Sequence, residues 1–336
     1  MSESLKNLGE FGLIDRISRK FVDNVGSGIT GIGDDAAIIP HADGSVQLVT
    51  CDTLIENIHF CTDAISPEHL GYKSLAVNLS DIAAMGGKPD YVFLALAVPV
   101  STSVNWIDSF MEGFYELTAD HNVPLLGGDT TRTEHKIMIT CTVIGSAKAD
   151  HVKTRSDARP GDHIMVTGPL GDSGGGLKLL MKGEKSGSAF GKQLVRAHNQ
   201  PYPFVREGLW LGENQSVNAM IDISDGLTSD AGHIATSSDV TMEIEIENLP
   251  ISEALKEAAG HYGFDALDLA LSAGEDFRLL FTVPQSEASS LEKEYKHEFG
   301  RSLFHLGTVK KGKAKVVITK EGKELRYQAG FDHFKK

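Results

Sequence analysis

Short apolar runs alternate with amphipathic stretches through the first half of the chain. VQLVTCDTL, YVFLALAVP and KIMITCTVIG are rich in β-branched and aromatic residues and predict strands. Between them, SPEHLGYKSLAVNLSDIAAMGG and the segment near 103–121 carry helical spacing. Ser66 as N-cap, Pro67 at the first helical position and Gly86 as the stop bracket the first of these helices and place Asp81 near its C-terminal end. After the polar stretch KADHVKTRSDARPGD, HIMVTG restarts β structure. A helix around 174–183 follows a glycine loop, a longer helical region runs to about 213, and IDISDGL opens another helix. VTMEIEIENL, FRLLFTVP and AKVVIT follow as strands. No segment repeats at a fixed period, which argues against solenoids and propellers. The pattern predicts two domains, residues 1–150 of mixed α/β or α+β type and a second one over residues 151–336.

Length agrees, since 336 residues at roughly 150 per domain give about two cores. Charge narrows the function. Lys and Arg number 32 against 46 Asp and Glu, a net −14, so no basic face is available for nucleic acid or an anionic membrane. The most apolar run, Tyr91 to Val100, has ten residues and contains Pro99, against the roughly 20 that cross a bilayer. Cys51, Cys61 and Cys141 cannot pair completely, and MSESLKNLGEFG lacks a basic start followed by an apolar stretch; the expectation is a reduced, cytoplasmic protein.

Several motifs fail on context. GSGITG (26–31) matches G-x-G-x-x-G, but GIGDDAAIIP after it reads as loop then strand, where a dinucleotide fingerprint needs a helix. GDSGG (171–175) puts Ser173 forward as a hydrolase nucleophile, yet GPLGD separates it from the preceding strand, unlike a nucleophile elbow. A glycine turn whose amides begin a helix is the preferred reading. GSAFGK (187–192) falls one residue short of a Walker A loop and lacks its final hydroxyl, and no C-x-x-C or H-E-x-x-H pair suggests zinc.

What remains is a recurrence of acids in glycine- and hydroxyl-rich segments: GIGDD (Asp34, Asp35), TCDTL (Asp52), NLSD (Asp81), GGDTTR (Asp129), IDISDG (Asp222, Asp225) and AGED (Glu275, Asp276). One such segment is a turn or a cap. If all converge, their repulsion is tolerable only with bound cations or protonated acids. Oxygen donors without His or Cys point to Mg²⁺ or Mn²⁺, and Mg²⁺ to a phosphate partner. Gly127 and Gly128 would permit close backbone approach to a polyphosphate, and Arg132 or Arg155 would supply a cation.

GIGDDAAI, CDTLIENIHF, GYKSLAVNLSDIAAMG, LLGGDTTR, KTRSDARPGD, VTGPLGDSGGGL, IDISDGLTSD, SAGEDFRLLF and the terminal GFDHF, in this order, resemble the thiamine-monophosphate kinase family of the aminoimidazole-ribonucleotide-synthetase-like superfamily over nearly the whole chain. The resemblance implies a two-domain fold, with an N-terminal mixed sheet that completes a dimeric barrel with a partner subunit and a C-terminal α+β domain. It also implies a homodimer, and transfer of the γ-phosphoryl of ATP to thiamine monophosphate with several Mg²⁺ ions. By the same resemblance the metal ligands are Asp35, Thr50, Asp52, Asp81, Asp129, Asp222 and Asp225, with Asp34 assisting from outside. Nucleotide contacts are Gly128, Asp129, Arg155 and Ser224, and substrate contacts are His59, Glu275 and Phe331. Asp52, Asp129 and Asp225 are the acids on which catalysis is expected to rest. Two departures stand out: Cys51 where relatives carry Thr or Ser, removing any hydroxyl ligand there, and SAGED for SGGED, an added methyl at Ala273.

The acceptor is itself a phosphate, whose second ionisation near pH 6 leaves an anionic oxygen at neutral pH. Such a transfer needs positioning and charge neutralisation rather than a general base. The alternatives are another ATP-using member of the superfamily, such as aminoimidazole-ribonucleotide synthetase, or a non-enzymatic divalent-cation-binding protein.

Overall fold

The computed structural model describes residues 5–21, 25–184 and 187–325. The N-terminal part holds α1 (Leu5–Phe21), β1 (Ala37–Pro40), β2 (Ser45–Ile55), α2 (Pro67–Ala84), β3 (Lys88–Pro99), α3 (Val104–His121), β4 (Leu125–Thr133) and β5 (Met138–Lys148). Its five strands lie in the order β1-β2-β5-β3-β4, antiparallel except for the parallel β3/β4 pair. Alternation in β2 sends Val46, Leu48, Thr50 and Leu54 to the buried face. The opposite face stays half open, carrying Val49, Cys51 and Thr53 from β2, Tyr91 from β3 and Met138 from β5. The described strands form an open sheet with edges β1 and β4, not a closed barrel.

Helix α2 is bounded as the sequence predicts: the Ser66 side chain accepts the His69 amide, Pro67 is the first helical residue, and Gly86 follows at φ +69°. It is buried on almost every side, so its polar residues need partners.

The C-terminal part comprises β6 (Asp162–Val166), α4 (Asp172–Met181), α5 (Ala189–Asn199), α6 (Val205–Glu213), β7 (Met220–Asp222), α7 (Leu227–Ser238), β8 (Thr241–Glu245), α8 (Glu253–Tyr262), α9 (Ala266–Ser272), β9 (Leu279–Pro284), α10 (Gln285–Phe299), β10 (Phe304–Lys310), β11 (Lys315–Lys320) and β12 (Lys323–Leu325). Its seven-stranded mixed sheet runs β12-β11-β8-β10-β6-β9-β7, parallel only at β8/β11. Leu279, Phe281 and Val283 enter one apolar core, shared with α2 and the first sheet, and Leu280 enters another. A sheet covered on both faces explains why FRLLFTVP is continuously apolar.

Several expectations are corrected in detail. The long helical region to residue 213 is two helices, because Gln200-Pro201-Tyr202-Pro203 breaks it. VTMEIEIENL is a strand only to Glu245, after which a 3-10 turn covers Ile246–Asn248. LLGGDTTRT, to which the apolar pattern assigns no element, is strand β4. GSGITG leads into β1, with Thr30 bridging Ile38, and no helix follows it.

Candidate active site at the junction of the two domains

Three carboxylates far apart in sequence meet where α2, β7 and the loop before β1 converge. Oxygens of Asp35, Asp81 and Asp222 all lie within 4.8 Å of one another. Each is placed by local structure. Asp81 occupies the last turn of α2 and accepts 2.5 Å from Thr50 Oγ1 on β2. Asp222 ends β7 and accepts 2.5 Å from Ser80 Oγ, a contact that ties α2 to the C-terminal sheet. Asp52 is fixed on the same face of β2 as Thr50, its amide donating to Asn78 Oδ1 at 3.0 Å.

The electrostatics are those of crowded acids out of water. Burial, then the Asp35 charge, pushes Asp222 up to about 8 and Asp52 to about 6. Burial and the charges of Asp52 and Asp222 carry Asp81 well above the carboxylate range. Asp34 is raised to about 6 by burial and by Asp35. Arg155 is the cation among them. Its guanidinium pairs with Asp35, its Nε lies 3.6 Å from Asp34 Oδ1, and its amide donates to Asp34 Oδ2 at 3.1 Å. Burial opposes its charge, and Asp35, Asp34 and Asp222 together more than offset that.

Asp35 Oδ2 is buried and has no hydrogen-bond partner. An orphaned anionic oxygen among oxygen donors fits a hard divalent cation. A second group adjoins the first: Asp225, Asp230 and His233 offer atoms within 4.8 Å of one another at the start of α7. Buried Asp230 accepts the amides of Asp225 and Gly226 at 3.2 and 3.0 Å.

The AGEDF loop packs on the ISD loop. The Glu275 amide donates to Ser224 O, and that of Phe277 to Ile223 O, both at 2.8 Å. Glu275 and Phe277 have φ of +64° and +48°, a conformation that costs on the order of 1 kcal/mol or more for such residues. A Cβ on Gly274 would stand 2.2 Å from Ser224 O. Ala273 is extended at φ −76°, so the extra methyl relative to SGGED meets no backbone penalty. His59 accepts the Ile55 amide on Nδ1 at 3.0 Å.

Other candidates sit apart. Asp129 lies on the exposed edge strand β4, opposite Ala95, in neither acidic group. A Cβ on neighbouring Gly128 would collide with Leu94 O at 1.7 Å, so strand pairing alone already demands glycine there. Cys51 points to the opposite sheet face from Thr50, where Thr142 Oγ1 donates to its thiol at 3.4 Å. Its side chain is therefore turned away from the Asp35, Asp81 and Asp222 group. Phe331 falls outside the described residues. Ser173 is buried, and its Oγ and Glu275 Oε2 both face Nδ1 of His198; a nucleophilic triad needs them on opposite ring nitrogens.

The sequence reading missed Asn78, Ser80, Lys73 and His198. For the three on α2 a signal exists: polar side chains interrupt the apolar helix GYKSLAVNLSDIAA on surfaces that prove buried.

The two domains are those of the AIR synthase related proteins: the N-terminal domain of that family matches residues 33–147 and its C-terminal domain matches residues 159–320. The thiamine-monophosphate kinase of Bacillus subtilis (strain 168) is 36% identical over 98% of this chain and 100% of its own. That of Escherichia coli (strain K12) is 36% identical over 97% and 98%. The solved structure of AaThiL complexed with AMPPCP and TMP superposes with a TM-score of 0.86 at 32% identity, covering 99% of both chains. The chain belongs to the thiamine-monophosphate kinase family.

Proposed function

We propose that the protein is an enzyme that transfers the γ-phosphoryl of ATP to the phosphate of thiamine monophosphate, giving thiamine diphosphate and ADP. The observation that carries the reading is the buried group of Asp35, Asp81 and Asp222, with its unpartnered Asp35 oxygen, in a chain that aligns end to end with kinases of this name. The AaThiL complex with an ATP analogue and TMP supports the pair of substrates.

Asp35, Thr50, Asp52, Asp81 and Asp222 would hold Mg²⁺, with Asp225 at the adjoining group and Asp129, which stands apart on β4, as a further metal ligand. Bound there, Mg²⁺ supplies charge neutralisation for two phosphate groups that otherwise repel. The chain's own groups do the rest. Arg155 lies beside the acidic group with a charge that burial does not remove, available to phosphate oxygens. Ser224 and Gly128 approach the nucleotide, while His59, Glu275 and Phe331 meet the thiamine end. No side chain is required as general base, because the acceptor oxygen is already ionised at neutral pH.

The half-open face of the first sheet supports a homodimer in which two such sheets meet and complete a barrel. The division between the N-terminal ATP- and Mg²⁺-binding domain and the C-terminal domain is placed near residue 150. Among the described residues no helix is long and apolar enough to cross a membrane. The three cysteines are unpaired, which suits the reducing cytoplasm.

The test supplies ATP and Mg²⁺ with thiamine monophosphate, thiamine or formylglycinamidine ribonucleotide. The expected outcome is thiamine diphosphate from the first and no turnover of the others. Turnover on either competitor without the monophosphate refutes the assignment.

A further inference from the structure

Lys73 is completely buried on α2. Its Nζ lies 3.1 Å from Glu275 Oε1 and has no other polar partner among the described residues. The second carboxylate oxygen, Oε2, is 3.3 Å from His198 Nδ1 at the end of α5, and Ser173 Oγ on α4 lies 3.0 Å from that same nitrogen. Two helices thus meet on one carboxylate, and a third backs His198 through Ser173. Glu275 is pinned at its backbone too, by the amide bond to Ser224 O and a left-handed φ. Its side chain nevertheless keeps 28% of its surface exposed, against 1% for Lys73.

A fully desolvated ammonium facing one carboxylate is a poor way to stabilise a fold, since an apolar pair of similar volume does as well or better. Stability also does not ask for a left-handed glutamate. The arrangement makes sense if the exposed face of the carboxylate has work to do. Burial alone would favour the protonated acid; the Lys73 ammonium above all brings Glu275 below the ordinary range, so it is an anion. Burial and the Lys73 charge hold His198 neutral, at about 4, leaving it free to donate one N–H.

We propose that Lys73 and His198 are positioning residues that hold the Glu275 carboxylate as a fixed anionic acceptor for the ring end of thiamine monophosphate, its aminopyrimidine N–H groups and cationic thiazolium. This rests on the kinase reading above and extends it. The acidic group receives the phosphates, whereas the Lys73–Glu275–His198 clamp selects the organic part of the acceptor.

Steady-state kinetics of the full chain separate this from a structural role. Lys73→Met is expected to raise KM for thiamine monophosphate about tenfold, with kcat and KM for ATP within about threefold, the signature of lost acceptor binding. Lys73→Arg restores most of that loss by returning the charge. Lys73→Met added to Glu275→Gln costs little beyond Glu275→Gln alone, because the lysine acts through the carboxylate. An unchanged KM for the acceptor in folded Lys73→Met, equal losses toward both substrates, or simple additivity with Glu275→Gln overturns the proposal. If Lys73→Met does not fold, His198→Gln decides: a selective rise in the same KM supports the clamp, and none overturns it. Wild-type protein inert toward thiamine monophosphate overturns the kinase reading and the clamp together, whereas an active wild type with an unmoved variant overturns the clamp alone.

Discussion

At Asp222 the chemistry of the site is concentrated in one side chain. It is buried, accepts a hydrogen bond from Ser80, and has its carboxyl raised to about 8 by burial and by Asp35. Asp52 and Asp34 follow at about 6. Without metal, the folded state therefore binds protons that the unfolded chain has released above about pH 4, so folding stability falls as pH rises from about 4 to 8. A divalent cation binds the deprotonated acids and reverses the trend. Thermal unfolding is the check. The metal-free protein is expected to melt several degrees lower at pH 8 than at pH 5.5, and Mg²⁺ to raise Tm by about 5 °C at pH 8 and by less at pH 5.5. A metal-free Tm that rises across this range contradicts the raised carboxyl pKa values of Asp222, Asp52 and Asp34.

At the scale of elements, α2 and the first sheet carry the argument. The ends of α2 were legible because Ser66, Pro67 and Gly86 act locally, through the cap, the fixed φ and the left-handed stop. The joining of Asp81 to Asp222 was not legible, since it depends on Ser80 reaching a strand from the other domain. The gathering of Asp35, Asp81 and Asp222 was expected from acids recurring in glycine- and hydroxyl-rich segments, yet the separation of Asp225 into a second group with Asp230 and His233 could not be, because spacing in sequence does not reveal which loops face each other. Strand β4 escaped notice for a related reason. It is exposed at every position but its last, so no buried face imposes alternation on LLGGDTTRT. That exposure, with Tyr91 45% and Met138 38% accessible on neighbouring strands, marks the face expected to meet a second copy. Light scattering should report twice 36.2 kDa, and Tyr91→Glu should shift the protein toward monomer; a wild-type mass of 36.2 kDa would sink the dimer.

On the scale of the whole molecule, the site exists only because two domains close on each other. The first contributes Asp35, Thr50, Asp52, Asp81 and Lys73, the second Asp222, Asp225 and Glu275, and Arg155 comes from the segment that joins them. A single apolar core spans the junction, joining Leu79 and Ile82 of α2 to Met220, Leu279 and Phe281 of the C-terminal sheet. Acids that would drive each other apart are thereby kept together. The most direct test of this account is a crystal grown with Mn²⁺ and a nonhydrolysable ATP analogue, with anomalous scattering used to place the metal. The account predicts metal peaks coordinated by Asp35, Asp81 and Asp222 beside the analogue's phosphates. A nucleotide bound with its metal elsewhere, and these three carboxylates bare, would contradict it.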